Sequence, residues 1–350
     1  MKPNKYLLVL ALLVGPYLLA IGYFVATEEQ PFTGDLMRIS GLSEADYGWN
    51  QPQDAFKVEH SFPLSRSIAA YDRPFDIIIA GDSFSFRSNT SWINTLVEAT
   101  GMSVLALQVN GASVSKIIHH PQFQQSPPRY FIFESVERRL YDRLEQLDIP
   151  ETPLIARSQA PRQWQPKVLE RQALSRVSAF ASVEQRFAHA VHVIRVKLGC
   201  LLDTADCKVV TQPLKAAGEG LFSSKASNRI AVLKKAYASR RKWSERRPEA
   251  LKRLKKLNDY FSAAPDTQFV LMVYPDKLSV YSEFIDADNH PVDKLIPEVA
   301  EIMDIPRLDI AFRKAIAERQ VDLYLPNDSH SGGAANALAA QVVIEKLIRQ

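Results

Sequence analysis

The sequence predicts an α/β fold with a mainly parallel sheet, an N-terminal transmembrane helix and a helical basic insertion. Three observations support this prediction. Short runs rich in Ile, Val and Phe alternate with segments of helical periodicity, which is the pattern of parallel α/β proteins. The first 26 residues contain a long uncharged apolar stretch, and residues 142–264 are polar and helical in pattern between two sheet-forming halves.

The composition excludes several classes of protein. The 350 residues are 46% hydrophobic and 23% charged, and the mean hydropathy is -0.14. Intrinsic disorder needs lower hydrophobicity, a multi-pass transporter needs a higher one, and two cysteines cannot form a disulfide scaffold. The formal net charge of +4 also argues against a dedicated nucleic-acid-binding protein.

Residues 1–26 are predicted to form a short cytoplasmic tail and a signal-anchor helix. Residues 6–26 (YLLVLALLVGPYLLAIGYFVA) carry no charge, and at about 1.5 Å per residue they can span a hydrocarbon core of about 30 Å. Lys2 and Lys5 precede this segment, so the positive-inside rule places the remainder of the chain across the membrane. The alternative is a cleaved signal peptide, although Phe24 would then stand where signal peptidase needs a small residue.

Export to an oxidising compartment would give the two cysteines a structural role. Cys200 and Cys207 lie close together in the sequence (CLLDTADC), and a short-loop disulfide between them is predicted. A catalytic thiol is the weaker alternative, because no histidine or basic cluster adjoins either cysteine in the sequence.

The α/β domain is predicted at residues 75–350, after an irregular lead-in at residues 27–74 that is rich in Pro, Gly, Asp and Ser. A helix is predicted in SWINTLVEATG, where Gly101 suits a C-cap, and a closing helix begins at about residue 334. The strands are predicted from apolar runs bounded by turn residues: 75–81, 103–111, 129–135, 268–275 and 321–326.

The insertion at residues 142–264 carries a strong local charge that the total conceals. Residues 225–256 contain thirteen Lys or Arg and only two Glu. One interpretation is a solvated helical face, and the other is attraction to anionic lipid headgroups or an acidic polymer.

Two short motifs carry the residue types of a serine nucleophile and its base. Gly81-Asp82-Ser83 ends the first predicted strand of the sheet, and open α/β sheets place their active sites at the carboxyl ends of strands. Asp328 and His330 follow the last predicted strand, and a carboxylate beside an imidazole is what activates a serine hydroxyl. Taken alone, either motif is compatible with an ordinary turn or loop, but together they predict a triad.

The two motifs together resemble the SGNH (GDSL-type) hydrolase superfamily. Further stretches resemble its polysaccharide-modifying branch, the alginate O-acetyltransferase family. They are residues 32–53 (FTGDLMRISGLSEADYGWNQPQ), 127–140 (PPRYFIFESVERRL), 273–281 (VYPDKLSVY) and 323–343 (LYLPNDSHSGGAANALAAQVV). The resemblance implies a three-layer α/β/α domain of SGNH type, and it leaves about residues 142–264 unmatched.

The resemblance implies covalent acyl transfer. No cofactor or metal ion is predicted, because the sequence has no zinc-ligand spacing and no Gly-rich phosphate loop. Ser83 would attack an acetyl donor, His330 would act as general base and then as general acid, and Asp328 would orient His330. Lys277 and Tyr281 match the PDK…Y stretch of the family, and a structural role is favoured for both over a catalytic one.

Oxyanion or substrate-binding roles are implied at Asn110, Gly111 and Arg138. The backbone N–H groups of Ser83 and Gly111 match the first two oxyanion donors of the superfamily, although Gly111 could also be an ordinary turn glycine. The third donor is unassigned, because ESVER stands where the superfamily has a GxND block. For Arg138, a structural ion pair with Glu137 and a contact with substrate both remain open.

The sequence therefore predicts a membrane-anchored O-acetyltransferase of the bacterial inner membrane, with its catalytic domain in the periplasm and an exported polysaccharide as substrate. Because acetyl-coenzyme A is cytoplasmic, a multi-pass membrane acyltransferase is expected to deliver the acyl group. The alternatives are a carbohydrate acetyl esterase of the same fold and a non-catalytic glycan-binding or scaffold subunit of an export machine.

Overall fold

The computed structural model describes residues 3–27, 34–40, 42–86, 88–108, 111–155, 165, 167–175, 183–201, 208–264, 266–286 and 294–348. The helices are α1 (Pro3–Thr27), α2 (Asp35–Ser40), α3 (Glu44–Tyr47), α4 (Trp92–Thr100), α5 (Gly111–Ile118), α6 (Pro121–Gln125), α7 (Leu140–Glu145), α8 (Val183–Leu201), α9 (Lys234–Ser262), α10 (Lys277–Val280), α11 (Leu295–Ile302), α12 (Leu308–Ala317) and α13 (Gly333–Ile348). The strands are β1 (Gln53–Phe56), β2 (Leu64–Ser65), β3 (Ile77–Gly81), β4 (Val104–Gln108), β5 (Tyr130–Val136), β6 (Arg171–Leu174), β7 (Val209–Pro213), β8 (Arg229–Leu233) and β9 (Gln268–Tyr274).

A five-stranded parallel sheet forms the centre of the domain. Its strand order is β2-β4-β3-β5-β9, and neighbouring strands pair in parallel throughout. Strand β3 lies in the middle of the sheet, and all five of its residues are buried. This is why the run IIIAG is continuously apolar instead of alternating with polar residues. The prediction of an α/β fold with a mainly parallel sheet is confirmed.

Helices cover both faces of the sheet, and the side chains of β3 alternate between two cores. Ile77 and Ile79 pack in one core with residues of α4, α12 and α13. Ile78 and Ala80 pack in the other with residues of α5, α7, α9 and α11. The alternation follows from the two-residue period of a strand, and it gives three layers of helix, sheet and helix.

Four of the predicted strands correspond to β3, β4, β5 and β9, and the predicted helix that follows β3 is α4. Ser91 accepts a hydrogen bond from the N–H of Ile93 at the start of α4, and Gly101 ends the helix with a φ of 61°. A left-handed residue at this position is inexpensive only for glycine, which is why the C-cap was recognisable in the sequence.

The strand predicted at residues 321–326 is wrong. This segment forms only an isolated bridge between Tyr324 and Ser331, outside the sheet. Asp322 has a φ of 52°, which interrupts an extended conformation, and the carbonyl groups of Leu325 and Pro326 accept hydrogen bonds from Lys277. These carbonyls are therefore bound by a side chain and not by a neighbouring strand.

The lead-in and the insertion contain more regular structure than the sequence indicates. Strand β2, in the lead-in, pairs with β4 at the edge of the main sheet, and β1 pairs with β6 of the insertion. The insertion also holds the antiparallel pair β7 and β8 and the long helix α9. The insertion is therefore a mixture of helices and short strands, where the sequence predicts helix.

Helix α1 contains the apolar segment predicted as a membrane anchor, and it packs beside α8. In the part of the chain that the structure describes, no helix is long and apolar enough to cross a membrane. The transmembrane part of the fold prediction is therefore unsupported. Cys200 lies near the end of α8, where only its backbone is described, and Cys207 lies outside the described residues, as does the predicted disulfide.

Candidate active site

Ser83 lies in a turn directly after β3, at the carboxyl end of the central strand, and it is exposed. The carboxylate of Asp82 holds this turn. Its Oδ1 accepts the N–H of Phe84 at 2.9 Å, and its Oδ2 accepts the N–H of Val136 at 3.1 Å and a guanidinium N–H of Arg143 at 2.8 Å. The turn is thereby tied to the neighbouring strand β5 and to α7, which fixes the direction of the Ser83 side chain.

Glu134 lies beneath the turn that carries the candidate nucleophile Ser83 (residues 82–85, called the nucleophile turn) and is completely buried. Its Oε2 accepts the N–H of Asp82 at 2.8 Å and the hydroxyl of Ser85 at 2.9 Å. A Cβ added at Gly81 would lie 2.6 Å from the Ser85 hydroxyl oxygen and 2.8 Å from Glu134 Oε2. Glycine is therefore required here by the close approach of these two side chains.

The carboxyl groups of Asp82, which is 13% exposed, and of the buried Glu134 differ in their pKa. Burial disfavours a charge on Asp82, but Arg143 and the backbone N–H groups outweigh it and lower the pKa of Asp82. Burial, and then the charge of Asp82, raise the pKa of Glu134 well above its ordinary value. Glu134 Oε1 is buried without a hydrogen-bond partner among the described residues, which costs less for a neutral carboxyl than for a carboxylate.

Ser83, His330 and Asp328, which are far apart in the sequence, form a continuous hydrogen-bonded chain. His330 Nε2 lies 2.7 Å from the Ser83 hydroxyl oxygen, and His330 Nδ1 lies 2.6 Å from Asp328 Oδ1. The backbone N–H of His330 also donates to Asp328 Oδ1 at 2.9 Å. Asp328 is completely buried, whereas Ser83 is open to solvent at the other end of the chain. This is the arrangement in which an imidazole can take a proton from a serine hydroxyl.

A buried lysine holds the loop that carries Asp328 and His330. The Nζ of Lys277 donates to the carbonyl oxygens of Leu325 at 2.9 Å, Pro326 at 3.0 Å and Asp328 at 3.4 Å. Burial lowers the pKa of Lys277 to about 7, against the attraction of the nearby carboxylates. The sequence motif favours a structural role for Lys277, and hydrogen bonds to three backbone carbonyl groups are contacts that hold a loop in place.

Asp35 was not singled out from the sequence, yet it lies beside the imidazole of His330. Its Oδ2 is 3.6 Å from His330 Nδ1, and its two carboxylate oxygens accept the N–H and the hydroxyl of Ser329 at 2.7 and 2.6 Å. The signal available in the sequence was weak, because Asp35 lies in the irregular lead-in and only the FTGD stretch of the family resemblance includes it.

A cleft of about 590 Å³ opens in front of Ser83 and His330. Its walls are mostly polar and come from the lead-in, the nucleophile turn, the end of β4 and the loop that carries His330. The lining residues are Gly34, Asp35, Arg38, Glu59, His60, Leu64, Ser65, Arg66, Ser83, Phe86, Gln108 and His330. A cleft of this size accommodates a small ligand or one to a few units of a polymer, with the serine hydroxyl at its wall.

Of the predicted oxyanion residues, the structure describes the backbone of Gly111, which follows β4, the strand that pairs with β3. Strand β4 pairs with β3 so that Gln108 lies opposite Gly81, and Gly111 is the first residue of α5. The N-terminus of a helix presents free N–H groups, which suit an oxyanion. Asn110 lies outside the described residues.

Arg138 lies behind the nucleophile turn. It forms an ion pair with Asp276, and its guanidinium lies 5.5 Å from the ring centroid of Phe84. The ring of Phe84 also packs against the ring of His330, and the two ring centroids are 4.6 Å apart. Glu137, the partner considered from the sequence, accepts hydrogen bonds from the N–H of Asp276 and the hydroxyl of Ser279. Arg138 thus contacts Phe84, which packs against the triad histidine, and Asp276.

Among the residues that the structure describes, Asp35, Asp328 and His330 form a group that could hold a metal ion, because their ligand atoms lie within 4.8 Å of one another. The same atoms already make hydrogen bonds within the protein: Asp328 with His330, and Asp35 with Ser329. A cation at this place would have to compete with these hydrogen bonds. The hydrogen-bonded arrangement therefore fits a triad better than a metal site.

The basic stretch at residues 225–256 lies mainly on α9, and none of its residues lines the cleft. Part of its charge is neutralised by ion pairs, such as Lys242 with Asp142 at 2.7 Å and Arg247 with Glu298 at 3.1 Å. Other members of the stretch are exposed: Lys225, Lys234, Arg241, Arg246, Lys252, Lys255 and Lys256. The exposed members leave a positively charged surface on the insertion.

Comparisons of the chain with protein-family models, curated proteins and solved structures find no match. The geometry of the site and the sequence motifs are therefore what support a function for this chain.

Proposed function

We propose that the protein is a serine-dependent acyltransferase of SGNH type, which transfers an acetyl group to an exported polysaccharide through an acetyl-serine intermediate. The observation that supports this proposal is the hydrogen-bonded chain Ser83–His330–Asp328, with links of 2.7 and 2.6 Å, at the wall of a cleft of about 590 Å³. A buried carboxylate, an imidazole and an exposed serine hydroxyl in this order are the requirements of nucleophilic acyl transfer.

In the first half-reaction, the hydroxyl oxygen of Ser83 attacks the carbonyl carbon of the acetyl donor while His330 Nε2 takes the hydroxyl proton. Asp328 holds the imidazole by Nδ1 and stabilises the imidazolium that forms. The tetrahedral oxyanion is expected to bind backbone N–H groups of Ser83 and Gly111. When the intermediate collapses, the bond to the leaving group breaks, the leaving group takes the proton from Nε2, and acetyl-serine remains.

In the second half-reaction, a sugar hydroxyl gives its proton to His330 Nε2 and attacks the acetyl carbonyl of Ser83. Collapse breaks the ester bond to Ser83, whose oxygen takes the proton back from His330. If water replaces the sugar, the same steps release acetate. Because Ser83 is exposed to solvent, a carbohydrate acetyl esterase is the second candidate function.

The proposal includes attachment to the bacterial inner membrane, with the catalytic domain in the periplasm. It is supported by the 21 uncharged residues at 6–26 and by Lys2 and Lys5 in front of them. In that compartment the acyl group has to be delivered across the membrane, and a multi-pass membrane acyltransferase would supply it. The exposed basic residues of α9 would contact the acidic polymer or anionic lipid.

The test is turnover of a chromogenic acetyl ester by the full chain, with and without an oligosaccharide acceptor. The transferase predicts acetylated sugar in preference to free acetate, an acetyl group found on Ser83 by mass spectrometry, and loss of both with Ser83→Ala. The control is Ser262→Ala, at the exposed end of α9, which should behave as the unsubstituted protein. Free acetate alone would identify an esterase, and unchanged polymer modification by Ser83→Ala in cells would identify a scaffold.

A further inference from the structure

A second carboxylate, Asp35, lies beside the triad and has no part in the steps above. Asp35 is the first residue of α2, and the side chain is 20% exposed at the floor of the cleft. Its Oδ2 lies 3.6 Å from Nδ1 of His330, the nitrogen that Asp328 already holds at 2.6 Å. The imidazole therefore has two carboxylates on the side away from Ser83.

The contact between α2 and the triad loop runs in both directions. The backbone N–H of Asp35 donates to Asp328 Oδ2 at 3.1 Å. In return, the carboxylate of Asp35 accepts the N–H of Ser329 at 2.7 Å and its hydroxyl at 2.6 Å. One carboxylate oxygen of Asp328 is thus hydrogen-bonded to His330, and the other accepts the backbone N–H of Asp35 in α2. The carboxylate cannot rotate without breaking one of these hydrogen bonds.

We propose that Asp35 is a positioning residue of the active site, which fixes the Asp328 carboxylate and adds a second negative charge beside His330. This inference rests on the proposed function and extends it by one residue. The contact that carries it is the reciprocal set of hydrogen bonds between Asp35 and residues 328–329, together with the distance of 3.6 Å to the imidazole.

The charge of Asp35 responds to the state of its neighbours. Burial, and then the charge of Asp328, raise the pKa of Asp35, whereas His330 lowers it. Lys277 and Arg138 also interact electrostatically with Asp35. When His330 takes a proton during the reaction, the second carboxylate is attracted more strongly than before. An interaction that strengthens only as the imidazolium forms lowers the barrier and leaves substrate affinity unchanged.

The substitution Asp35→Asn separates this role from a merely structural one. It keeps the backbone N–H that binds Asp328 and an acceptor for Ser329, but it removes the charge. For a chromogenic acetyl ester, kcat should fall about 10-fold, with KM within about twofold of the unsubstituted protein. The NMR resonance of the proton between His330 Nδ1 and Asp328 should also change its chemical shift, which a change in fold stability alone would not cause.

Asp322→Asn is the matched control, because it also removes a carboxylate bound to the N–H and hydroxyl of a serine, here a completely buried carboxylate. Asp322 accepts the N–H of Ser223 at 2.9 Å as well as its hydroxyl, and it is not among the residues that line the cleft. Its kcat should stay within about twofold of the unsubstituted value. If Asp35→Asn fails to fold, Asp35→Glu keeps the charge and displaces the carboxylate by one methylene, and a reduced kcat is again expected.

Three results would overturn the inference: unchanged kcat in a folded Asp35 variant, an equal loss of kcat in the Asp35 and Asp322 variants, or a rise in KM alone, which would make Asp35 a substrate-binding residue. Ser83→Ala, measured in parallel, distinguishes this failure from failure of the proposed function. If Ser83→Ala is inactive while Asp35→Asn is fully active, only the role of Asp35 is wrong. If Ser83→Ala retains turnover, the proposed function is wrong.

Discussion

Replacing Gly81 with alanine tests whether space alone requires the glycine of the nucleophile turn. The added Cβ would lie 2.6 Å from the Ser85 hydroxyl oxygen and 2.8 Å from Glu134 Oε2, both closer than real Cβ contacts. Overpacking of a rigid site costs about 1–3 kcal/mol. If the methyl group also breaks the hydrogen bond between Ser85 and Glu134, unpaired buried groups add about 1–3 kcal/mol more. When both costs apply, the free energy of unfolding should therefore fall by about 2–6 kcal/mol.

The same clash should reduce activity, because Ser83 is two residues beyond Gly81. A displacement approaching 1 Å costs about 100-fold in rate when a nucleophile must meet both its base and its substrate. Urea unfolding measures the stability, and turnover of a chromogenic acetyl ester measures kcat. Gly220→Ala is the control: Gly220 has a φ of 76°, so alanine is strained there by about 1–2 kcal/mol, but its Cβ would meet only Arg319 at 3.5 Å. Full stability and full kcat in Gly81→Ala would refute the steric explanation, and so would an equal loss of kcat in the control.

Three further predictions concern the charges around the site and on the insertion. Because burial lowers the pKa of Lys277 from 10.5 to about 7, the unfolded chain binds more protons between these values, and the free energy of unfolding should rise by about 1.4 kcal/mol per pH unit there. Lys277→Met should abolish this slope in urea unfolding curves recorded from about pH 7 to 9, and an unchanged slope would contradict the prediction. Arg143→Met leaves the largely buried carboxylate of Asp82 without its ion pair and should lower the free energy of unfolding by about 3–5 kcal/mol, a loss that would be absent if the pair were dispensable. Substituting Lys255 and Lys256 together with Gln should weaken co-sedimentation with anionic vesicles at low salt, whereas equal retention of the unsubstituted protein at low and high salt would exclude an electrostatic contact.

The sheet was predictable because its strands are buried on both faces and therefore form continuous apolar runs. Strand β3, with the sequence IIIAG, is the clearest example, and the glycine and serine that follow it marked the carboxyl edge. The same reasoning failed at residues 321–326, where an apolar run is present but the Lys277 ammonium binds the carbonyl groups that a neighbouring strand would need. A contact made by a side chain distant in sequence leaves no periodicity to detect.

The candidate site could be predicted in part for a related reason. Ser83, Asp328 and His330 were recognisable because the chemistry of a triad requires these residue types, and the structure brings them together; their catalytic roles remain a prediction. Asp35 could not be found in this way, because the lead-in has no regular pattern in the sequence and an aspartate in the first turn of a helix is common for electrostatic reasons alone. The edge strand β2 is two residues long and was equally invisible.

The two ends of the chain are joined at the site, and this has a consequence for folding. Asp35 and Ser329 are 294 positions apart, and Asn327 reaches Glu44 across 283 positions. Contacts of such high order form only after the intervening chain has collapsed, since closing so large a loop costs entropy before it gains any contact. We therefore expect the nucleophile turn on β3 to form early and the imidazole to join it last. A nascent or C-terminally truncated chain that lacks residues 328–330 would then carry its serine without a base, so the proposed acyl transfer would begin only once these residues have been synthesised and folded into place.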